Sequence, residues 1–388
     1  MYHEELNEMR RRGLVRIVRD RDCTATLSSG GTARIILDGK EFLHFSSNDY
    51  LGLAFHSDLI AAASAALDAC GTGAGAARLL GGGTHHHRLL EKQTAQFKGT
   101  EDALLFNSGY TANLSAIPAL AGEGDIIFSD ELNHASIIDG CRLSRAKTVI
   151  YRHCNADHLQ ELLSTEQGKR RLVITDSVFS MDGNIAPIPA LSAACHNSNA
   201  ILYIDDAHGT GVLGGGYGVL RHFGIPPQDR IIQMGTYSKA LGSFGAFVAA
   251  QSEIIQWLLN SARGFIFSTA LPASAAAASL AALQLVETAD SCTARLWANR
   301  KLLVEGLSIL GYDVSRSETP ILPLFVGDID RTLRCSDYLR ENGIFAPAIR
   351  PPTVATPRIR LTVTAGHTQG DIRKLLHVLE GWPSAHCP

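Results

Sequence analysis

The stretch RLVITDSVFSMDGNIAPIPALSAACHNSNAILYIDD, residues 171–206, decides the fold class. It contains two short apolar runs, RLVITD (171–176) and AILYIDD (200–206), separated by the helical pattern IPALSAACHN (188–197). A strand buried on both faces shows a nearly continuous apolar run, and a connecting helix allows two such strands to lie parallel. The stretch therefore predicts two strands of a largely parallel sheet with a helix between them.

The same alternation continues on both sides of this stretch. Five further apolar runs predict strands: DALLF (102–106), DIIFSD (125–130), KTVIY (147–151), RIIQMGT (230–236) and GAFVAA (245–250). Helical patterns lie between several of them. We therefore expect an α/β fold whose large domain holds a mostly parallel seven-stranded sheet, covered by helices on both faces.

The ends of the chain predict smaller units. The alanine-rich stretch 272–289 predicts a long helix that leaves the sheet, and the strand-like and helical segments after it predict a small α+β domain. Near the N-terminus, apolar residues within 4–20 recur at helical spacing. We expect an N-terminal arm over 1–45, a large domain over 46–288 and a small C-terminal domain over 289–388.

Composition excludes several classes of protein. Charged residues make up 19% of the 388 residues and the formal net charge is −3, which argues against a nucleic-acid-binding surface. We find neither a secretory signal nor an apolar run of about 18 residues that would span a membrane. The 8 cysteines form no C-x-x-C pair, so we expect a cytoplasmic enzyme without a metal centre.

Chemistry in open α/β sheets gathers at the carboxyl ends of the strands, and two such ends carry reactive side chains. Asp205 and His208 follow one strand, and Lys239 follows another within TYSKALG. A carboxylate can pair with a protonated pyridine nitrogen, and a lysine in a dry pocket can form an imine. These residue types indicate a pyridoxal 5′-phosphate (PLP) site.

Other strand ends supply the groups that PLP further requires. Ser108, Gly109 and Tyr110 precede a helix whose free N–H groups would face a phosphate. Ser180 could bond a ring substituent, and His134 could stack on the ring. Each feature alone has an ordinary structural explanation, such as a helix cap or a solvated lysine. The combination favours the PLP site.

The ordered motifs of the chain resemble those of the α-oxoamine synthases, over nearly its whole length. The shared segments are SNDYLGLAFH (47–56), GTGAGAARLLGG (71–82), LLFNSGYTANL (104–114), LNHASIIDG (132–140), TDSVFSMDGN (175–184), IDDAHGTGV (204–212), GTYSKALG (235–242), FIFSTALP (265–272) and IRPPTVATPRIRLTVTAGH (349–367). The resemblance implies a fold type I PLP-dependent transferase that works as a homodimer with shared active sites.

The resemblance also implies a role for each matching residue. Lys239 would form the covalent link to PLP and act as the catalytic base, with Asp205 on the ring nitrogen, His134 stacked on the ring, and His208 and Ser180 at the ring oxygen. Gly109, Tyr110, Thr236 and Ser238, near Ser108, would lie close to the phosphate of the same subunit or hold the lysine. Ser268 and Thr269 would reach the neighbouring subunit's phosphate. The expected substrate contacts are Arg350 and Thr353 at the amino acid carboxylate, with Asn48, His134 and Arg16 towards the substrates.

The implied reaction is the decarboxylative condensation of a small amino acid with an acyl thioester. The pattern DDAHGTG, together with IRPPTV and RIRLTVTA, favours the family member that uses L-alanine and a pimeloyl thioester in biotin biosynthesis. The thioester could be carried by coenzyme A or by an acyl carrier protein. Two alternatives remain open: another member, such as a glycine C-acetyltransferase, and a non-catalytic scaffold subunit, against which the presence of Lys239, His134, His208 and Asp205 argues.

The run His85, His86 and His87 suggests a metal site only weakly. Adjacent residues on a helix face different directions, and no cysteine or carboxylate cluster accompanies them. We expect these residues to form a solvated or locally capped helix start.

Overall fold

The structure is a computed structural model that describes residues 2–22, 31–288 and 290–383. Cys23 and Cys387 lie outside these residues. The helices are α1 His3–Arg11, α2 Ser57–Cys70, α3 His85–Lys98, α4 Gly109–Leu120, α5 Ala135–Ser144, α6 Ala156–Thr165, α7 Ile188–Asn197, α8 Val219–His222, α9 Ser252–Ser261, α10 Arg263–Ile266, α11 Ala273–Thr288, α12 Asp290–Ile309, α13 Ile329–Glu341 and α14 Gln369–Glu380. The strands are β1 Arg34–Leu37, β2 Lys40–His44, β3 Asp102–Phe106, β4 Ile126–Asp130, β5 Lys147–Tyr151, β6 Arg171–Asp176, β7 Ile201–Asp205, β8 Ile231–Thr236, β9 Ala246–Ala250, β10 Ile321–Leu324, β11 Ile344–Phe345, β12 Ala348–Ile349 and β13 Arg358–Thr362. None of the described helices is long and apolar enough to cross a membrane.

The chain divides into two compact units. The sheet domain comprises Leu53–Ser180 and Ile185–Thr293, and the terminal domain comprises the described residues of Met1–Gly52, Met181–Asn184 and Ala294–Pro388. Packing therefore groups the N-terminal segment with the C-terminal part of the chain. The three-part division at 45/46 and 288/289 remains a prediction.

The sheet domain contains the predicted seven-stranded sheet. The strand order is β3-β9-β8-β7-β6-β4-β5. Strand β9 runs in the direction opposite to the other six, and the remaining neighbours pair in parallel. All seven strands match the apolar runs of the sequence. The central strands β7 and β8 are buried, apart from the half-buried Ile201 at the start of β7, because helices such as α4, α5 and α9 cover the sheet.

The terminal domain has its own core and two small sheets. One has the order β1-β2-β11 and the other β10-β13-β12, and α12, α13 and α14 supply apolar side chains to the same core. The hairpin of β1 and β2 was not predicted. The helix expected across 4–20 is wrong in extent, because α1 ends at Arg11 and Gly13 adopts a left-handed φ of 63°.

The triple histidine forms the start of α3. Thr84 caps this helix, and its backbone N–H donates to His87 Nδ1 at 3.1 Å. The other ring nitrogen of His87 lies 2.7 Å from the carbonyl oxygen of Leu271. The locally capped helix start is confirmed for His87, whose ring is fully buried.

Candidate active site

Two buried carboxylates lie side by side at the carboxyl edge of the sheet. Asp176 ends β6 and Asp205 ends β7, and the parallel register of these strands pairs the two residues directly. Burial, the largest effect, raises the pKa of both groups. The nearby charge of Asp205 raises the pKa of Asp176 further. A pair of this kind favours one ionised and one protonated carboxyl group.

Asp205 has the partners that favour its charged form. Asn113 Nδ2 donates to Oδ2 at 2.8 Å, and the Ala207 N–H donates to Oδ1 at 3.1 Å. The positive charge of Lys239 lowers the pKa of Asp205 more than any other single group, although burial keeps it above its usual value. Asp205 is therefore a buried acceptor for a cationic ligand group.

His134 begins helix α5 as its N-cap. Its ring Nδ1 lies 2.8 Å from Ser136 Oγ, and its backbone N–H donates to Asp176 Oδ2 at 2.7 Å. The residue is exposed, and the Tyr110 ring meets it edge to face with a centroid distance of 6.3 Å. Partial burial of the ring is the largest effect and lowers the pKa of His134. The charge of Asp205 raises this pKa, and the charge of Lys239 lowers it. A largely neutral, anchored imidazole suits ring stacking.

Lys239 lies in the turn after β8. Thr236 Oγ1 accepts from the Ser238 N–H at 3.2 Å and lies 2.7 Å from Ser238 Oγ, which fixes the start of this turn. The turn lies against the loop after β7, because a Cβ on Gly211 (φ 82°) would come within 2.5 Å of the Ala240 Cβ. This close contact brings the half-buried Lys239 and the Asp205 loop together.

The start of α4 has the geometry of an anion cradle. Ser108 is its N-cap and accepts from the Thr111 N–H at 3.1 Å. A Cβ on Gly109 would lie 3.9 Å from the Thr236 side chain, so the helix start adjoins the end of β8. Tyr110 donates a short hydrogen bond to Asp139, which raises the pKa of the tyrosine. Helix N–H groups at this position favour a phosphate.

The remaining cofactor candidates also belong to the sheet domain. His208 is buried in the loop after β7, and Ser180 is half-buried in the segment after β6. Ser268 and Thr269 are exposed or nearly so, and Asn107 Nδ2 donates to Ser268 Oγ at 2.8 Å and to the Thr269 carbonyl at 2.9 Å. Asn107 precedes Ser108, so Ser268 adjoins the anion cradle.

The predicted substrate residues lie in the terminal domain, apart from His134. Arg16 NH2 donates to Thr353 Oγ1 at 3.3 Å, and Arg350 donates to the backbone oxygens of Gly13 (2.6 Å) and Val15 (2.7 Å). Partial burial and the nearby charge of Arg16 lower the pKa of Arg350. The structure thus brings Arg16, Arg350 and Thr353 together.

Asn48 makes different contacts within the same domain. Its Oδ1 accepts from Arg360 NH2 at 3.1 Å and from the Tyr50 hydroxyl at 3.5 Å. Asn48 therefore has its own hydrogen-bonded cluster, separate from the contacts of Arg16 and Arg350.

Three supporting residues were missed by the sequence analysis. Asn113 connects Asp205 to the helices, Asp176 anchors His134, and Lys98 forms a fully buried ion pair with Asp206 at 2.8 Å. The available signal for Asn113 was a polar amide inside the mostly apolar helix segment TANLSAIPAL (111–120). A buried amide needs partners, so such a residue marks a polar network.

The donor set of the sheet domain fits the cofactor that the sequence indicates. It combines a buried carboxylate, a lysine whose charge acts on that carboxylate, an anchored imidazole and a helix start suited to phosphate. The family model of class I and II aminotransferases matches residues 40–379. The chain belongs to the class I and II aminotransferase family.

Individual members of this aminotransferase family are similar over nearly the whole chain. An 8-amino-7-oxononanoate synthase of Geobacter metallireducens is 47% identical over 97% of this chain and 96% of that protein. The structure of a serine palmitoyltransferase from S. paucimobilis with a bound PLP–myriocin aldimine has a TM-score of 0.91 at 28% identity, covering 98% of this chain and 96% of that one. An 8-amino-7-oxononanoate synthase from Francisella tularensis has a TM-score of 0.76 at 30% identity, covering 87% and 97%. The predicted fold class and the α-oxoamine synthase resemblance are confirmed.

Proposed function

We propose that this chain is a PLP-dependent acyltransferase of biotin biosynthesis, which joins L-alanine to a pimeloyl thioester and releases carbon dioxide and free thiol. The product would be 8-amino-7-oxononanoate. The observation that carries the proposal is the buried Asp205 beside the charge of Lys239 and the anchored His134. The relative at 47% identity supports the choice of alanine and pimeloyl substrates.

The residues of the sheet domain divide the work around the cofactor. When bound, PLP supplies an electron sink that stabilises negative charge on the substrate carbon beside its amino group. Asp205 would hold the proton on the ring nitrogen, with Asn113 and the Ala207 N–H keeping the carboxylate oriented. Lys239 would link to the cofactor and move the proton at the substrate Cα.

The remaining contacts would orient the cofactor and exclude alternative poses. His134 would stack on the ring, and His208 and Ser180 would bond its ring oxygen. The start of α4, from Ser108, Gly109 and Tyr110, would hold the phosphate together with Thr236 and Ser238. These five residues adjoin one another in the sheet domain, which supports a common ligand.

The terminal domain offers a cavity for an anionic acyl donor. Its volume is about 510 Å³. Its lining includes Arg16, Arg19, Arg340 and Arg350 beside apolar side chains. A pimeloyl chain has the same character, because it is apolar and ends in a carboxylate.

Arg350 would hold the alanine carboxylate with Thr353 nearby, and Arg16 would contact the acyl donor. Asn48 would approach the substrate from its own cluster. Arg350 donates to the backbone at Gly13 and Val15, so carboxylate binding would replace or share these two bonds. Guanidinium groups suit this exchange because they bind carboxylates in a bidentate manner.

The proposal includes a homodimer in the cytoplasm. Three exposed apolar side chains, Leu79, Leu80 and Phe267, lie near the backbone bridge between Ala77 and Thr269. Apolar side chains of this size at one exposed site favour association, and Ser268 and Thr269 would then reach the phosphate of the second subunit. The six cysteines that the structure describes form no disulfide, which fits a reducing compartment.

Thiol release from pimeloyl-CoA by the PLP-loaded protein tests the reaction. L-alanine, glycine and L-serine would be compared in parallel, with Lys239→Ala as the inactive variant and Lys301→Ala, whose side chain is 78% exposed, as the matched control. We expect alanine-dependent release that Lys239→Ala abolishes and Lys301→Ala retains. A pimeloyl-acyl carrier protein assay would then distinguish the two donors.

The other outcomes separate the alternatives. Release with glycine or serine would preserve the family assignment and discard the biotin role. An absorbance change on adding alanine without thiol release would indicate a different acyl donor. No change with any amino acid would support the non-catalytic scaffold subunit.

A further inference from the structure

A thiol, an imidazole and a carboxylate that the proposed reaction does not use meet beside strands β4 and β5. His153 Nδ1 lies 2.8 Å from Asp130 Oδ1, and His153 Nε2 lies 3.5 Å from Cys154 Sγ. One imidazole ring therefore connects the thiol to the carboxylate. Proteins activate cysteine nucleophiles with this order of groups.

The backbone holds the three groups in place. The Asp130 side chain is fully buried, and its Oδ2 accepts from the Cys154 N–H at 2.8 Å. Cys154 adopts a left-handed φ of 52°, which is uncommon for a residue with a side chain. The Asp130 carboxylate thus binds both the imidazole and the backbone of the cysteine, so the arrangement does not depend on one flexible contact.

The imidazole carries a positive charge at neutral pH. Burial lowers the pKa of His153, but the hydrogen bonds to Asp130 and Cys154 outweigh it and raise the pKa to about 10. The Glu131 carboxylate lies nearby and accepts a hydrogen bond from the backbone N–H of His153 at 3.3 Å. Burial raises the pKa of Tyr151 and of Asp176, so both resist taking a negative charge. The charged ring of His153 therefore lies beside the Cys154 sulfur, with Nε2 3.5 Å from Sγ.

Access distinguishes Cys154 from the core cysteines. Cys154 is half-buried, and the edge of the buried Phe179 ring covers one side of His153 at a centroid distance of 4.3 Å. By contrast, burial raises the pKa of the Cys141 and Cys195 thiols to about 12. Cys154 is therefore more accessible than the core thiols.

We propose that Cys154 is a modification site whose sulfur, held beside His153 and Asp130, reacts with hydrogen peroxide. The sulfur attacks one peroxide oxygen, an S–O bond forms and the O–O bond breaks. The departing hydroxide takes a proton from the His153 imidazolium and leaves as water, and the proton lost by the thiol returns His153 to its charged form. The sulfur is oxidised by two electrons to sulfenic acid, and the peroxide is reduced by two.

Alkylation mapped by mass spectrometry tests this site in the intact, PLP-loaded protein. Iodoacetamide labelling at pH 7 would be followed at each cysteine, with the half-buried Cys70 as the internal reference. We expect Cys154 to label about tenfold or more faster than Cys70, and this advantage to disappear in His153→Gln, as expected for loss of an adjacent imidazolium. Dimedone capture after peroxide treatment should locate the sulfenic acid at Cys154.

Three results would overturn the proposal. Labelling of Cys154 no faster than Cys70 would do so, as would an unchanged rate in His153→Gln. Protection of Cys154 that a chelator removes, with Zn²⁺ restoring it, would replace the reactive thiol with a metal site at the same three residues. The comparison with Cys70 needs no variant, so it stands even if His153→Gln fails to fold.

Discussion

Replacing Asn113 with alanine should weaken PLP binding, although the substitution leaves in place every side chain that would contact the cofactor. Asn113 is fully buried and makes three hydrogen bonds: it donates to Asp205 Oδ2 (2.8 Å) and Ser136 Oγ (2.9 Å) and accepts from the Tyr203 hydroxyl (2.9 Å). A hydrogen bond to a charged group contributes about 1.5–3 kcal/mol. Its loss corresponds to roughly a tenfold to 150-fold increase in the Kd for PLP, at about 1.4 kcal/mol per factor of ten.

The pH dependence should change in a defined direction. The bond from Asn113 lowers the pKa of Asp205, whose value burial has already raised. Removing the bond raises that pKa further, so the ionised carboxylate, and with it tight PLP binding, should require a higher pH in Asn113→Ala than in the unchanged protein.

The assay is a PLP titration of the cofactor-free protein at several pH values between about pH 6 and 8.5, followed by absorbance. Tyr203→Phe is the matched control, because it removes a hydrogen bond of Asn113 but leaves the bond to Asp205. Thermal unfolding of both variants checks the fold. Equal Kd values and equal pH profiles for Asn113→Ala and Tyr203→Phe would refute the reasoning.

Three further predictions concern stability and substrate binding. Lys98→Met leaves Asp206 buried without its cation, so the free energy of unfolding in urea should fall by about 3–5 kcal/mol, with Asp206→Asn in the same chain restoring part of it; an unchanged midpoint would contradict this. Burial lowers the pKa of His367 to about 4, so its neutral form stabilises the fold above pH 6.5 and this contribution is lost as the pH falls towards 4; stability should decline less steeply over that range in His367→Asn, by up to about 1.4 kcal/mol per pH unit. Arg350→Lys should raise the KM for alanine about tenfold or more while the Kd for PLP stays unchanged, because lysine lacks the bidentate fork; an unchanged KM with lower thermal stability would restrict Arg350 to its backbone contacts.

The strands of the sheet domain were predictable because their pattern is local. The central strands are buried on both faces, so a short, mostly apolar run marks each of them without reference to its neighbours. The hairpin of β1 and β2 had a local signal that was not used: Asp38 and Gly39 join two apolar runs, and both adopt positive φ, as a two-residue hairpin turn requires.

Other features of the terminal domain have no local signal. Strand β2 pairs in parallel with β11, so Leu43 lies opposite Ile344 across 301 positions of sequence. Neither segment shows its partner in its own composition. The grouping of the N-terminal segment with the C-terminal part of the chain follows from such pairings and not from a periodic pattern.

The candidate site shows the same division between local and distant information. The rule that chemistry follows strand ends indicated Asp205 and Lys239, because each residue ends or follows an apolar run. The partner of Asp205 is one turn inside α4, and the partner of Asp206 is at the end of α3. These pairings depend on how the helices pack on the sheet, which the linear pattern does not encode.

The four buried carboxylates at this edge of the sheet explain why Asp205 is the one suited to a ligand. Asp206 has the Lys98 ammonium at 2.8 Å, and Asp130 has the His153 imidazolium at 2.8 Å, so a full positive charge already neutralises each of them. Asp176 has a pKa raised well above its usual value by burial and by Asp205, which favours its protonated form. Asp205 receives direct hydrogen bonds from two neutral amides, and the charge of Lys239 lowers its pKa. A buried carboxylate that neutral amides hold in a fixed orientation is suited to a cationic group brought by a ligand, and a protonated pyridine nitrogen is such a group.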